Sequence, residues 1–349
     1  MLIPFLSWAS VPGNGESEVV VKIKTVEIDG AFYGTPARTE DDHVILGSHN
    51  HHLYFFDESG ELIKTFKTGA PVHATPKQLS NKQIAVGSFD GFIYFFDENG
   101  NVINVLRPGG KTFTEVVEID QDKFVFGTNN GRIIFCNWKN QNQDVLKDKK
   151  LVHGTPTILS NGNIAIGSSH RRMFILTPKA KVVASFRTKG WVMHSKPVEL
   201  PNGNLVFGSY DKYIYCITDT GKLVWKYKTG GKIHASPLLT PDGTLVIGSF
   251  DGNVYFLNTK GELLHRFHTS RMIASTAAQV NEGIIVVGSV DKHLYFLSVK
   301  GELLAKADAG GSVFSSPIVL TNGTVVCATM NGKVNFVKLR NPYFLTHNN

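Results

Sequence analysis

The stretch Gly87-Ser88-Phe89-Asp90-Gly91-Phe92-Ile93-Tyr94-Phe95-Phe96-Asp97-Glu98-Asn99-Gly100 decides the fold, because close copies of it recur from one end of the chain to the other. It reads as strand, tight turn, strand, turn, with Asp-Gly supplying the positive φ that a hairpin needs. Its leading glycine returns as Gly47, Gly87, Gly127, Gly167, Gly208, Gly248 and Gly288, and the eighth copy carries Ala328 in Ala328-Thr329-Met330-Asn331-Gly332. Successive copies lie 40, 40, 40, 41, 40, 40 and 40 residues apart. A period of this strictness marks a repeat architecture, in which each unit buries its apolar surface against its neighbours.

Working outward, each repeat shows four pieces. A first strand opens on a Thr-Pro or Ser-Pro pair: Thr35-Pro36, Thr75-Pro76, Thr155-Pro156, Ser236-Pro237 and Ser316-Pro317. Proline lacks a backbone donor, which suits a strand with one unpaired edge, so this is the innermost strand, beside a central channel. Asn161-Gly162 or Pro241-Asp242-Gly243 then turns the chain into a second strand such as Thr244-Leu245-Val246-Ile247. The Asp90-Gly91 type of turn leads to a third strand, and Asp97-Glu98-Asn99-Gly100 or Asn258-Thr259-Lys260-Gly261 leads to an outer one, such as Lys222-Leu223-Val224-Trp225-Lys226-Tyr227. Four antiparallel strands per repeat make one propeller blade.

The eighth repeat ends at Leu339 after its third strand, and Asn341-Pro342 stops it. Residues Glu18 to Ile28 alternate apolar and polar in the manner of a half-buried strand and precede the first repeat where an outer strand would stand. The expected fold is therefore all-β, an eight-bladed propeller of four-stranded antiparallel blades whose ring is closed by this N-terminal strand completing the last blade. Closure also removes an open sheet edge. The expected organisation is a tail or leader remnant at 1–17, one propeller domain at 18–340 and a tail at 341–349.

The apolar fraction of 42% and charged fraction of 19% are those of a folded soluble protein, and no run reaches the roughly 18 apolar residues of a membrane span. A net charge of +7 over 349 residues is a mild bias that admits acidic partners, and no nucleic-acid motif accompanies it. Cys136, Cys216 and Cys327 each fall inside an apolar strand and read as buried hydrophobes. Met1 to Ser10 resembles the end of a secretory leader, with small residues at Ser7 and Ala9 but no basic segment before its short apolar core. That opening favours a periplasmic or secreted location over the cytoplasm while leaving the compartment open.

The repeat unit, with Ser-Pro, Asn-Gly, Gly-Ser-x-Asp-Gly, Tyr-Phe, Gly-Glu/Lys-Leu and Lys-Thr-Gly-Gly in order, resembles the pyrroloquinoline-quinone-like β-propeller repeat over about nine tenths of the chain. Blade five matches best, through Asp211, Tyr215, Gly221-Lys222-Leu223-Val224-Trp225 and Thr229-Gly230-Gly231. The resemblance implies the fold; for function it spans quinone-dependent dehydrogenases and non-enzymatic scaffolds. What it implies for the enzymes is a docking tryptophan in each blade, an adjacent cysteine pair and calcium-holding loops. Here Trp225 stands alone, with Lys64, Asn104, Ala184, His265 and Ala305 at the matching positions, and no Cys-Cys occurs. The chain thus resembles the scaffold members more than the dehydrogenases.

Strand order places the loops between blades on one face with the Gly-Ser-x-Asp turns, and the other two turns on the opposite face. On the first face lie His49, His51, His52 and His170, and His73, His153, His194 and His234 enter the inner strands. Those four share one repeat position with Tyr33, Phe113, Ala274 and Phe314, so packing accounts for them, and a channel in an eight-bladed ring is expected to be too wide for their bonds of about 2.1 Å to meet on one metal. No nucleophile elbow, HExxH, CxxC or phosphate-cradling loop occurs, and turns account for the many glycines. No catalytic residue, metal or cofactor is therefore assigned.

Charge is least evenly shared in blades four and five. His170-Arg171-Arg172 replaces the usual Asp-Gly turn, and Arg187-Thr188-Lys189-Gly190-Trp191 replaces the Lys-Thr-Gly-Gly loop ahead of His194. Arginine offers a planar fork for carboxylate or phosphate and Trp191 a flat apolar surface, so His170, Arg171, Arg172, Arg187, Lys189, Trp191 and His194 form the candidate ligand-binding set. The leading expectation is a monomeric, non-enzymatic scaffold that presents this face and the channel to a protein or anionic ligand. The alternatives are a quinone- or metal-dependent oxidoreductase and a carbohydrate-binding propeller. Blade three departs from the repeat in two places, Glu115-Val116 for Thr-Pro and the longer loop Asn137 to Gln143.

Overall fold

A computed structural model of the chain describes residues 20–137 and 143–340. The expected segments 1–17 and 341–349, residues Glu18 and Val19 of the first strand, and 138–142 of the blade-three loop lie outside the described residues. Every regular element among the described residues is a strand, and the strands form eight four-stranded antiparallel sheets. In seven of them four consecutive strands pair in chain order, for example Val198–Glu199, Leu205–Gly208, Tyr213–Ile217 and Leu223–Lys228 in blade five. The eighth takes its outer strand from the other end of the chain: Val20–Glu27 pairs antiparallel with Lys333–Arg340 in unbroken register from Val20 opposite Arg340 to Glu27 opposite Lys333.

Burial follows strand position. Second strands such as Leu205–Gly208 are buried on both faces, whereas outer strands such as Leu223–Lys228 alternate exposed and half-buried residues. Both faces of a blade are covered because the core is divided among the gaps between blades. Each of the eight blade interfaces holds its own apolar cluster. The closing interface packs Phe32, Val44, Leu46, Tyr54 and Phe56 of blade one on Leu320, Val326, Ala328, Val334 and Phe336 of blade eight.

Two repeat signals acquire physical reasons here. The leading glycine is not a turn residue, as the sequence suggested, but belongs to the second strand, as its last residue except in blade four, where the strand runs on to Ser168. A Cβ on Gly208 would overlap the Ile233 side chain of the next blade, and Gly47, Gly167 and Gly248 face Val72, Val192 and Ile273 in the same way. The upper-turn aspartate is a clasp between blades. Asp251 accepts from the Tyr255 hydroxyl at 2.6 Å, from its own turn at Asn253 N–H and, at 2.7 Å, from Gly230 N–H of the preceding interblade loop. Burial alone would raise its pKa, but these hydrogen bonds hold the carboxyl below the ordinary value, and burial with the Asp251 hydrogen bond pushes Tyr255 up to about 12.

Candidate functional site

Two places gather chemistry-bearing side chains. The first is a groove of about 590 Å³ between blades four and five, lined by Arg171, Phe186, Arg187, Thr188, Lys189, Tyr215, Leu223 and Lys226. The two loops singled out in the sequence are neighbours. Thr188 N–H donates to the Arg171 carbonyl at 3.0 Å, and Arg172 stands directly across from Arg187 in the strand pair. Arg171, Arg187 and Lys189 are exposed and form no ion pair with a described residue. Lys226 lies 5.1 Å from the Tyr213 ring centre, a cation–π contact that holds its ammonium at the groove. Asp211 carries a carboxylate at this joint, and it is engaged by Lys189 N–H at 2.8 Å, Gly190 N–H at 3.2 Å and the Tyr215 hydroxyl at 2.9 Å. Backbone and tyrosine donors, not the surrounding cations, occupy it.

Three of the sequence candidates belong elsewhere. His170 turns to the preceding joint, where its Nδ1 sits 2.9 Å from Asp148, a carboxylate that also accepts from the Ser168 hydroxyl. Trp191 is 47% exposed, its ring centre 5.8 Å from Tyr210, and it does not line the groove. His194 lies in the channel. Arg172 is half-buried, with its guanidinium donating to the Ser185 hydroxyl at 2.9 Å. Arg171, Arg187 and Lys189 thus form the nucleus, and Lys226 is a member that sequence reading missed. The signal was present: Lys226 is one strand position from Trp225, and a register count places it on the face toward blade four.

The second place is the channel, a chamber of about 470 Å³ whose upper end is closed by aromatic and imidazole rings. One repeat position supplies the roof. Phe113 stacks on His153 at 4.0 Å, His194 on His234 at 4.3 Å, and Tyr33 lies 5.7 Å from Phe314. His49 enters from above and shares a hydrogen bond of 3.1 Å between its Nε2 and His73 Nδ1. The expectation of a wide channel is wrong at this level. Met193 is the extra residue behind the single 41-residue spacing, and His194 takes a left-handed φ of 63°, which carries its ring to within 6.3 Å of His73 in blade two. Burial pushes His73 down to about 3 and both His153 and His234 down to about 4, and holds His194 well below its ordinary value, so the roof is neutral at pH 7. Among the described residues no group of three or more His, Cys, Asp or Glu is arranged to hold a metal ion.

Below the roof the next channel-facing repeat position is Thr35, Thr75, Glu115, Thr155, Lys196, Ser236, Thr276 and Ser316. Hydroxyl oxygens stitch this ring together across a full repeat: Lys196 N–H donates to Ser236 at 2.8 Å, Ser236 N–H to Thr276 at 2.9 Å, and Thr276 N–H to Ser316 at 2.9 Å. Glu115 faces Lys77 and Lys196, each at 3.7 Å.

The ring and its closure define the class: this is an eight-bladed β-propeller. The family model for the lambda-carrageenase beta-propeller domain matches residues 239–340. Among solved structures, the chain is similar to BamB from Moraxella catarrhalis, with 17% identity and a TM-score of 0.77 over 91% of this chain and 98% of that one. It is also similar to the computationally designed Ika8 protein, with 17% identity and a TM-score of 0.76 over 90% of this chain and 98% of that one. No curated protein matches the sequence. At these identities the likeness is one of fold.

Proposed function

We propose that the protein is a non-enzymatic binding scaffold that holds an acidic segment of a protein partner, or a comparable anionic ligand, in the groove between blades four and five. The observation that carries this reading is the convergence of Arg171, Arg187, Lys189 and Lys226 on one groove in which the nearby carboxylate of Asp211 is already engaged. Like charges held together by rigid strands and turns repel one another, and an anion relieves that repulsion while gaining charge-assisted hydrogen bonds. Phe186, Tyr215 and Leu223 add an apolar wall for the rest of a peptide.

A fluorescent polyglutamate peptide tests the reading. Its affinity is expected to fall as salt rises, and to fall by about tenfold or more in Arg171→Glu with Arg187→Glu. Lys179→Glu with Lys181→Glu alters the lower-face turn between the third and outer strands of the same blade and is expected to leave binding nearly unchanged. Equal loss in both variants would reduce the effect to net charge, and no loss in either would remove the groove from consideration.

A further inference from the structure

The channel chamber carries a second inference, independent of the groove. We propose that it binds a small, neutral, polyhydroxylated molecule of mono- or disaccharide size, held by the Ser/Thr ring and Glu115 beneath the aromatic roof. The argument begins with unused hydrogen-bonding capacity. Ser236, Thr276 and Ser316 accept from backbone N–H groups through their oxygens, so their hydroxyl protons remain to be donated. Thr35, Thr75 and Thr155 line the same ring with hydroxyls that bond to no described residue. Hydroxyl groups left without partners on a chamber wall point to a polar group that enters the chamber.

The charges narrow the chemistry. Glu115 is 15% exposed, and its two lysines stand at 3.7 Å, outside hydrogen-bond distance, so its carboxylate is an acceptor without a close donor. A ligand has to offer donors to Glu115 and acceptors to the hydroxyl ring and to Lys196. An inorganic anion satisfies the ring but confronts Glu115. A cation confronts Lys77 and Lys196. An apolar molecule leaves the ring unpaired. Sugar hydroxyls donate and accept together, and the rings of Tyr33, Phe113 and Phe314 provide an apolar ceiling for the C–H face of a pyranose. The channel wall below the ring, at Val117, Thr157, Val198, Leu238 and Ile318, is half-exposed, so the chamber opens on the lower face.

Saturation-transfer NMR and calorimetry on the full chain, with glucose, galactose, maltose and cellobiose as probes and sulfate and leucine as comparisons, test the proposal. At least one sugar is expected to saturate one site per chain with a dissociation constant of about 1 mM, as suits a dozen non-hydrogen atoms. Glu115→Thr with Lys196→Thr installs the residue that the same position carries in blades one, two, four and seven, so the ring folds while the affinity drops by about tenfold. Arg171→Glu with Arg187→Glu should leave sugar binding intact, which separates this site from the groove. The proposal is overturned if none of the four sugars saturates, if sulfate or leucine binds instead, or if the double threonine variant binds sugar as well as the parent.

Discussion

Arg171 occupies the position in the upper turn where blades two, three, six and eight have glycine, and it adopts a φ of 62°. A non-glycine residue in that left-handed region costs about 1 kcal/mol relative to glycine. Its side chain makes no ion pair with a described residue that would offset the cost, and His51, Lys212 and Lys292 hold the same turn position at positive φ in blades one, five and seven. Arg171→Gly is therefore expected to raise the unfolding free energy by about 1 kcal/mol in a urea titration while weakening polyglutamate binding. Loss of stability in that variant would show that the guanidinium supports the fold. At this scale the sequence was only partly legible. Arg171 and Lys189 were readable because they stand where several other blades have glycine, and such a departure is visible without coordinates, whereas Arg187 only keeps the basic residue that Lys67, Lys147 and Lys228 supply elsewhere. Lys196 breaks the repeat equally plainly, yet it acquires meaning only once Glu115, two blades away, is seen to face it across Thr155. His170 misled because it stands where other blades have the clasp aspartate, and its partner in the preceding interblade loop, Asp148, carries the carboxylate in its place, an exchange of roles visible only once the clasp is known.

Single strands of this protein have little independent meaning, because the apolar clusters lie between sheets and not within them. This is why the fold was legible almost completely: one period fixes the blade, the blade fixes its neighbours, and the shortfall in the eighth repeat identifies the closing strand. The boundary read as Glu18 to Ile28 corresponds to a paired strand of Val20–Glu27. The glycine role was misread because a strand glycine chosen for close approach and a turn glycine chosen for positive φ look alike in sequence. The closing strand carries a direct expectation. Deleting residues up to Ile28 leaves blade eight with three strands and exposes the edge of Lys333–Arg340, along with part of the cluster around Phe336. Such a truncation should melt at clearly lower temperature than the full chain and associate through the bared edge. Unchanged melting and unchanged elution in size-exclusion chromatography would show that the ring closes without it.

The whole ring meets at the roof of the channel, and the roof makes the stability of the molecule depend on pH. His73, His153, His194 and His234 come from blades two, four, five and six, and His49 from blade one joins them through His73. Burial lowers all five below the ordinary histidine value, with His73 about 3 and His153 and His234 about 4. A histidine whose folded pKa lies below its unfolded value of about 6.5 binds protons more readily when the chain is unfolded, so its contribution is intact above pH 6.5 and is lost as pH falls toward the folded value. For one such histidine the loss between pH 6.5 and 5 is about 2 kcal/mol, a window in which most carboxylates remain ionised. Three losses of that size, at His73, His153 and His234, already reach the lower end of the net stability of a domain, about 5–15 kcal/mol, and His194 adds in the same direction. Because the rings come from different blades, protonating them sets like charges against one another at the axis and loosens the ring as a unit. The urea midpoint is therefore expected to fall steeply from pH 6.5 to 5. Replacing His153 and His234 with phenylalanine, the residue at that position in blades three and eight, should flatten the fall by roughly half, since two of the four strongly buried rings no longer titrate. A variant whose midpoint follows the parent curve point for point would place the acid sensitivity outside the roof.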